Sequence, residues 1–193
     1  PGAMGNGKLG MDLGDESDLS EVSCAILSPD LPDRMASFGD IFIENNIPYI
    51  FDPGQAIPAL SNDYLSVLID SCWGVVANEF EVDMLCDRLG LSPARLSKRA
   101  GFLITTRGGE GCSLSQDSLR ADIPAVKDLE IIDVTGAGDA FRAGFVHALN
   151  VGKGLKVACE YGNTAASFVV EASGTQAHYF TREKFFERLY ANY

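Results

Sequence analysis

The stretch from Glu130 to Leu149, EIIDVTGAGDAFRAGFVHAL, constrains the fold of this chain more than any other. Its short apolar run, Ile131-Ile132 and then Val134, reads as the end of a strand buried on both faces. A tight turn follows, Thr135-Gly136-Ala137-Gly138, and then a helix whose apolar stripe is Phe141, Phe145, Ala148 and Leu149. The glycines keep the turn clear of side chains, so backbone N–H groups can approach a ligand. Those donors stand at a helix N-terminus, where unpaired N–H groups and the positive end of the dipole attract anions. Asp139 lies in the same first turn. Two readings are open for it: a carboxylate that only favours the dipole, or a general base beside an anion hole.

The rest of the chain repeats the unit. Val22–Leu27 reads as a buried strand, and Asp33–Asn46 carries Met35, Phe38, Ile41 and Phe42 at helical spacing. Pro48–Phe51 is the next strand and runs into the turn Asp52-Pro53-Gly54-Gln55. Tyr64–Cys72 reads as a helix, Trp73–Ala77 as a strand, and Asn78-Glu79-Phe80-Glu81 opens a further helix. Ser92, with Pro93 behind it, caps a short helix to Lys98. Phe102–Thr106 is a strand, and glycines 108, 109 and 111 before Cys112–Leu114 signal a hairpin. Lys156–Val170 and Phe180–Tyr193 close the chain as helices. Strands alternating with helices predict an α/β architecture with a mainly parallel sheet covered on both faces. Ligands of such sheets gather at strand C-termini, where Asp52, Asn78, Thr106 and Asp139 all fall.

Composition enters by exclusion. A net charge of −12 in 193 residues argues against nucleic acid or an anionic membrane surface as partner. Five scattered cysteines without a CxxC pair read as reduced thiols, neither a disulfide frame nor a zinc site, and predict a cytoplasmic protein. No apolar run is long enough to span a bilayer. Neither histidine, His147 or His178, takes a catalytic role. GAGDAF lacks the third glycine of a dinucleotide fingerprint, and no GxxxxGK(S/T) occurs.

DVTGAGDAFRAGF resembles the second signature of the ribokinase/adenosine kinase family, the phosphofructokinase B type of carbohydrate and nucleoside kinases. The resemblance implies a ribokinase-like three-layer α/β/α fold, with Asp139 as catalytic base and Gly136, Ala137 and Gly138 as anion hole. It also implies that Asn78 and Glu81, matching an Asn-x-x-Glu motif, act on phosphate and on magnesium through water. Thr106, Gly108 and Gly111 match the family's T-x-G-x-x-G turn beside the nucleotide phosphates, where Arg107 is either a phosphate contact or a surface arginine. Asn163 stands where relatives approach the adenine of ATP. The loop 172–176 matches one that lies beside the nucleotide and, in some members, a monovalent cation. FDPGQ at 51–55 and SGTQAHYFT at 173–181 resemble the adenosine kinase-like branch, which raises Asp52 and Gln55 as further contacts.

The expected activity is transfer of the γ-phosphoryl group of ATP to a hydroxyl of a nucleoside, adenosine first. A ribokinase-type sugar kinase and a nucleotide-binding fragment without turnover are the alternatives. Residues 1–20 read as an irregular acidic connection, and PGAM at the start resembles a turn from the middle of some adenosine kinase-like members. On that resemblance residues 1–193 form the C-terminal part of one kinase domain. The family's N-terminal part and small β-sheet lid, which carries many acceptor contacts and often a homodimer contact, are not found here. An N-terminal segment of the same enzyme is then an expected partner.

Overall fold

The computed structural model describes Leu19 and residues 22–193. The reading of residues 1–18, including PGAM, lies outside the described residues. The chain divides into two compact units, the first ending at Leu103 and the second spanning Ile104–Tyr193.

In the first unit, β1 (Ala25–Leu27), β2 (Tyr49–Phe51) and β3 (Gly74–Asn78) run parallel, in register Ile26↔Ile50 and Phe51↔Val75. Helices α1 (Pro32–Glu44) and α2 (Asn62–Ser71) make the crossovers, and α3 (Glu79–Leu89) and α4 (Pro93–Ala100) follow. Tyr49, Ile50 and Phe51 are all buried, the signature of a strand covered on both faces. Each such side chain contributes about 1.5–3 kcal/mol by leaving water. Polar ends inside this core are satisfied: Tyr49 Oη donates to Leu68 O at 2.7 Å and Tyr64 Oη to Ala36 O at 2.7 Å. Helix starts follow local chemistry. Pro32 and Pro93 occupy first-turn positions, and the hydroxyls of Ser61 and Ser92 accept from Tyr64 N–H and Arg95 N–H. Trp73 lies edge-on to Phe102, centroids 5.7 Å apart, and is 41% exposed.

Strand β4 (Leu103–Thr106) carries the chain into the second unit. Here β5 (Cys112–Gln116) and β6 (Leu119–Ile123) pair antiparallel, with Asp117 at φ 49° in their turn. That hairpin was not expected. The Gly-rich stretch is a single 3-10 turn, Gly108–Glu110, closed by Arg107 N–H donating to Gly111 O at 2.8 Å. Helices α5 (Ala137–Asn150), α6 (Leu155–Val169) and α7 (Arg182–Asn192) complete the unit. The expected stripe of α5 is buried at Phe141, Phe145 and Ala148, and α5 packs so closely on α6 that a Cβ at Gly144 would meet Ala165 and one at Gly162 would meet Phe141. Arg188 of α7 lies over the Phe168 ring at 3.8 Å and bonds Glu171 at 2.8 Å.

Candidate active site

One expectation fails at the entrance to the glycine turn. Residues 130–134 form no strand, and Ile131, Ile132 and Val134 are 58%, 56% and 68% exposed. Their backbone groups find partners outside a ladder: the N–H groups of Ile132 and Asp133 both donate to Val170 O, at 2.8 and 3.2 Å. The Asp133 carboxylate holds the bend. Its Oδ1 accepts Thr135 N–H at 2.9 Å and its Oδ2 accepts Gly174 N–H at 2.9 Å, joining the glycine turn to the 172–176 loop. Hydrogen bonds from Thr135, side chain first and backbone second, and from Gly174 hold this carboxyl below the usual carboxylate range. Sequence reasoning passed over Asp133. The Asp-x-Thr spacing of a side-chain-stabilised turn was the available signal.

Gly136 is the N-cap of α5 at φ 86°, a left-handed conformation that favours glycine, with Thr175 3.3 Å from where a Cβ would sit. No side chain caps this helix. Ala137 N–H turns inward to Val134 O at 3.2 Å, whereas the N–H groups of Gly136, Gly138 and Asp139 have no acceptor among the described residues. Where an anion hole is expected over 136–138, the donors left open are those of 136, 138 and 139. Asp139 is 86% exposed at its side chain and meets Arg142 Nη1 at 3.3 Å. An open set of donors beside an exposed carboxylate can hold an anionic group while accepting a proton from a neighbouring hydroxyl.

Beside this turn lies a cavity of about 750 Å³, a volume in the range of ligand pockets. Gly108, Ala137 and Asn163, three of the expected site residues, line it together with Val126, Ile131 and Val134. Thr106 and Gly111 do not line it. Gly111, at φ 91°, lets the backbone of Ile123–Ala125 cross over it, since a Cβ would collide with Ile123 O and Ala125 N. Asn163 is buried and its Nδ2 donates to Ile123 O at 3.3 Å and Pro124 O at 3.0 Å. Arg107 pairs with Asp122 at 2.7 Å.

Asn78 and Glu81 lie in the first unit and engage each other. Asn78 Oδ1 accepts Glu81 N–H and Glu81 Oε2 accepts Asn78 N–H, both at 2.9 Å, a capping box at the start of α3. Asp52 is buried and Gln55 exposed in the same unit. Among the described residues no group of three or more His, Cys, Asp or Glu could hold a metal ion.

A profile describing pfkB family carbohydrate kinases matches residues 12–182. The chain is 36% identical over 139 residues to a nucleoside kinase of Methanocaldococcus jannaschii, covering 72% of this chain and 46% of that protein. It is 34% identical over 145 residues to a ribokinase of Bacillus subtilis, covering 75% and 47%. The solved structure of a Burkholderia thailandensis nucleoside kinase in complex with inosine superposes with a TM-score of 0.89 at 27% identity, covering 94% of this chain and 59% of that one. The chain thus spans about half the length of the curated relatives it matches.

Proposed function

The chain belongs to the pfkB family of carbohydrate kinases, with its three-layer ribokinase-like α/β fold and mostly parallel sheet, and on that premise we propose that it transfers the γ-phosphoryl group of ATP to a hydroxyl of a nucleoside, adenosine being the expected acceptor. The observation that carries this reading is the uncapped start of α5: three backbone donors without acceptors beside the exposed carboxylate of Asp139. Asp139 takes the proton as the acceptor oxygen forms its bond to the γ-phosphorus. The bond to the bridging oxygen breaks and ADP leaves, while the amides of Gly136, Gly138 and Asp139 stabilise the charge on the transferring group. The cavity lined by Gly108, Ala137 and Asn163 takes the base and ribose of the nucleotide. Thr106 and Gly111 are proposed to lie beside the nucleotide phosphates.

Magnesium bound with the nucleotide would neutralise phosphate charge, and Glu81 is proposed to act on it through water. A monovalent cation is proposed at the 172–176 loop that Asp133 anchors. The five free cysteines fit work in the reducing cytoplasm. An N-terminal segment of the same enzyme is proposed to supply further acceptor contacts, and a homodimer is the proposed assembly.

Nucleoside over sugar rests on the nucleoside kinase relatives and on the FDPGQ and SGTQAHYFT loops. The identity to a ribokinase keeps a sugar acceptor as the second reading. Turnover of adenosine, inosine, ribose and fructose with magnesium-ATP decides between them. Ribose or fructose used at least about tenfold better than adenosine, as kcat/KM, would remove adenosine as the acceptor. Binding of ATP without turnover of any of the four would leave a nucleotide-binding fragment.

A further inference from the structure

The wall of the cavity opposite the glycine turn is formed by residues 124–129, a strap that leaves β6 and crosses Gly111. A second cavity, of about 440 Å³, lies on its far side, and Val126 to Leu129 line both. A segment with space on two sides cannot be fixed by packing alone. Nor does a ladder fix it: among the described residues no backbone–backbone hydrogen bond ties residues 124–130. Its tethers are the side chains of Asn163 in α6, Asn192 at the end of α7 and Tyr193 beyond it. Tyr193 Oη donates to Pro124 O at 2.6 Å, Asn163 Nδ2 to the same carbonyl at 3.0 Å, and Lys127 N–H donates to Asn192 Oδ1 at 3.3 Å.

We infer that Tyr193, acting with Asn192 and Asn163, is a positioning residue that fixes the strap as one wall of the nucleotide pocket and so sets affinity for the base half of the nucleotide. The ligand half of this inference rests on the kinase reading above. The strap faces the cavity with Val126 and Leu129, apolar surface suited to a flat base, whereas the amides suited to phosphate belong to the 136–139 turn. Loosening the strap therefore weakens the base contact and leaves the phosphate contact intact. Burial, the largest influence on Tyr193, pushes its hydroxyl up to about 12, so it stays a donor at ordinary pH. Asn163 is the residue that sequence resemblance places near adenine. Here its amide hydrogens go to the last carbonyl of β6 and the first of the strap, and its part in base binding is exerted through that wall.

The test is Tyr193→Phe in the 193-residue chain, titrated by calorimetry with ATP and separately with inorganic tripolyphosphate, together with amide hydrogen exchange without ligand. Phe keeps the ring, and Pro124 O keeps its bond from Asn163, so the fold is expected to survive. ATP affinity should fall about three- to tenfold, the range that one net hydrogen bond carries, with tripolyphosphate affinity unchanged. Amides of residues 125–129 should exchange faster, and those of α6 at the parent rate. Asn192→Ala should shift both readouts in the same direction. Equal loss for both ligands would reduce Tyr193 to general stability and overturn the positioning role, as would unchanged ATP affinity. Parental exchange over 125–129 would show that Tyr193 is no tether. A parent chain that binds no ATP defeats the kinase reading and the affinity claim together, while exchange still decides the tether.

Discussion

Glu81 and Asp139 occupy the same place on two helices, the third residue after the N-cap, one in each unit, and they are used in opposite ways. Glu81 folds back onto the Asn78 amide and Asn78 returns the bond, so α3 satisfies two of the donors at its own start. At α5 the N-cap is a glycine with no oxygen to offer, and the carboxylate points to solvent. A capped start gains stability and has fewer donors to lend. An uncapped start forgoes about 1 kcal/mol of capping and keeps donors for something that arrives from outside. The same residue class at the same position thus closes a capping box in one unit and stands open to solvent in the other.

The largest effect that would break this contrast is at Asp139. Asp139→Asn should lower phosphoryl transfer roughly 10²–10⁴-fold, with ATP affinity and melting temperature near the parent's. Steady-state kinetics showing turnover within about threefold of the parent would remove the base role. Next comes Gly136→Ala, which forces a side chain into a left-handed conformation at φ 86°, a strain of about 1–2 kcal/mol. Both denaturant midpoint and phosphate affinity should fall, because the turn that presents the amides must shift away from Thr175. Asn78→Ala sharpens the comparison from the other side. It should cost about 1 kcal/mol in urea unfolding, as loss of a cap does, and leave tripolyphosphate binding to the second unit unchanged.

The smallest effect is a pH dependence at Asp133. Its folded carboxyl is held below the unfolded value of about 3.9, so its contribution is complete above that pH and disappears as pH falls toward the folded value. Amide exchange at Thr135 and Gly174 should accelerate in that acid window and become insensitive to pH there in Asp133→Asn. Equal acid sensitivity in that variant would place the titrating group elsewhere.

These tests also mark how far the sequence could be read. The start of α5 was legible because glycine, alanine and aspartate in that order leave few backbone options, and because Phe141, Phe145 and Ala148 repeat at one helical face. The cap at Ser92 was legible for the same local reason, whereas the reciprocal bonds of Asn78 and Glu81 appear only in the folded chain. Ile131, Ile132 and Val134 misled, because a short apolar run carries no sign of whether a neighbouring strand is there to pair with it. The partner they found was a carbonyl at Val170, and that contact is long-range. The strap at 124–129 was illegible too. Its tethers come from Asn163, Asn192 and Tyr193, and no spacing rule connects such distant residues with a non-repeating segment.

Trp73 against Phe102 has a practical consequence for separating the two units. It is the single tryptophan of the chain and belongs to the first unit. Excited selectively, its indole emission follows the first unit alone, because the aromatic groups of the second include Tyr161, Tyr179, Tyr190 and Tyr193 but no indole. Far-ultraviolet circular dichroism, by contrast, weighs the helices of both. Unfolding curves from the two signals that superimpose would mark one cooperative system. Curves that part would give the unit carrying Glu81 and the unit carrying Asp139 separate stabilities.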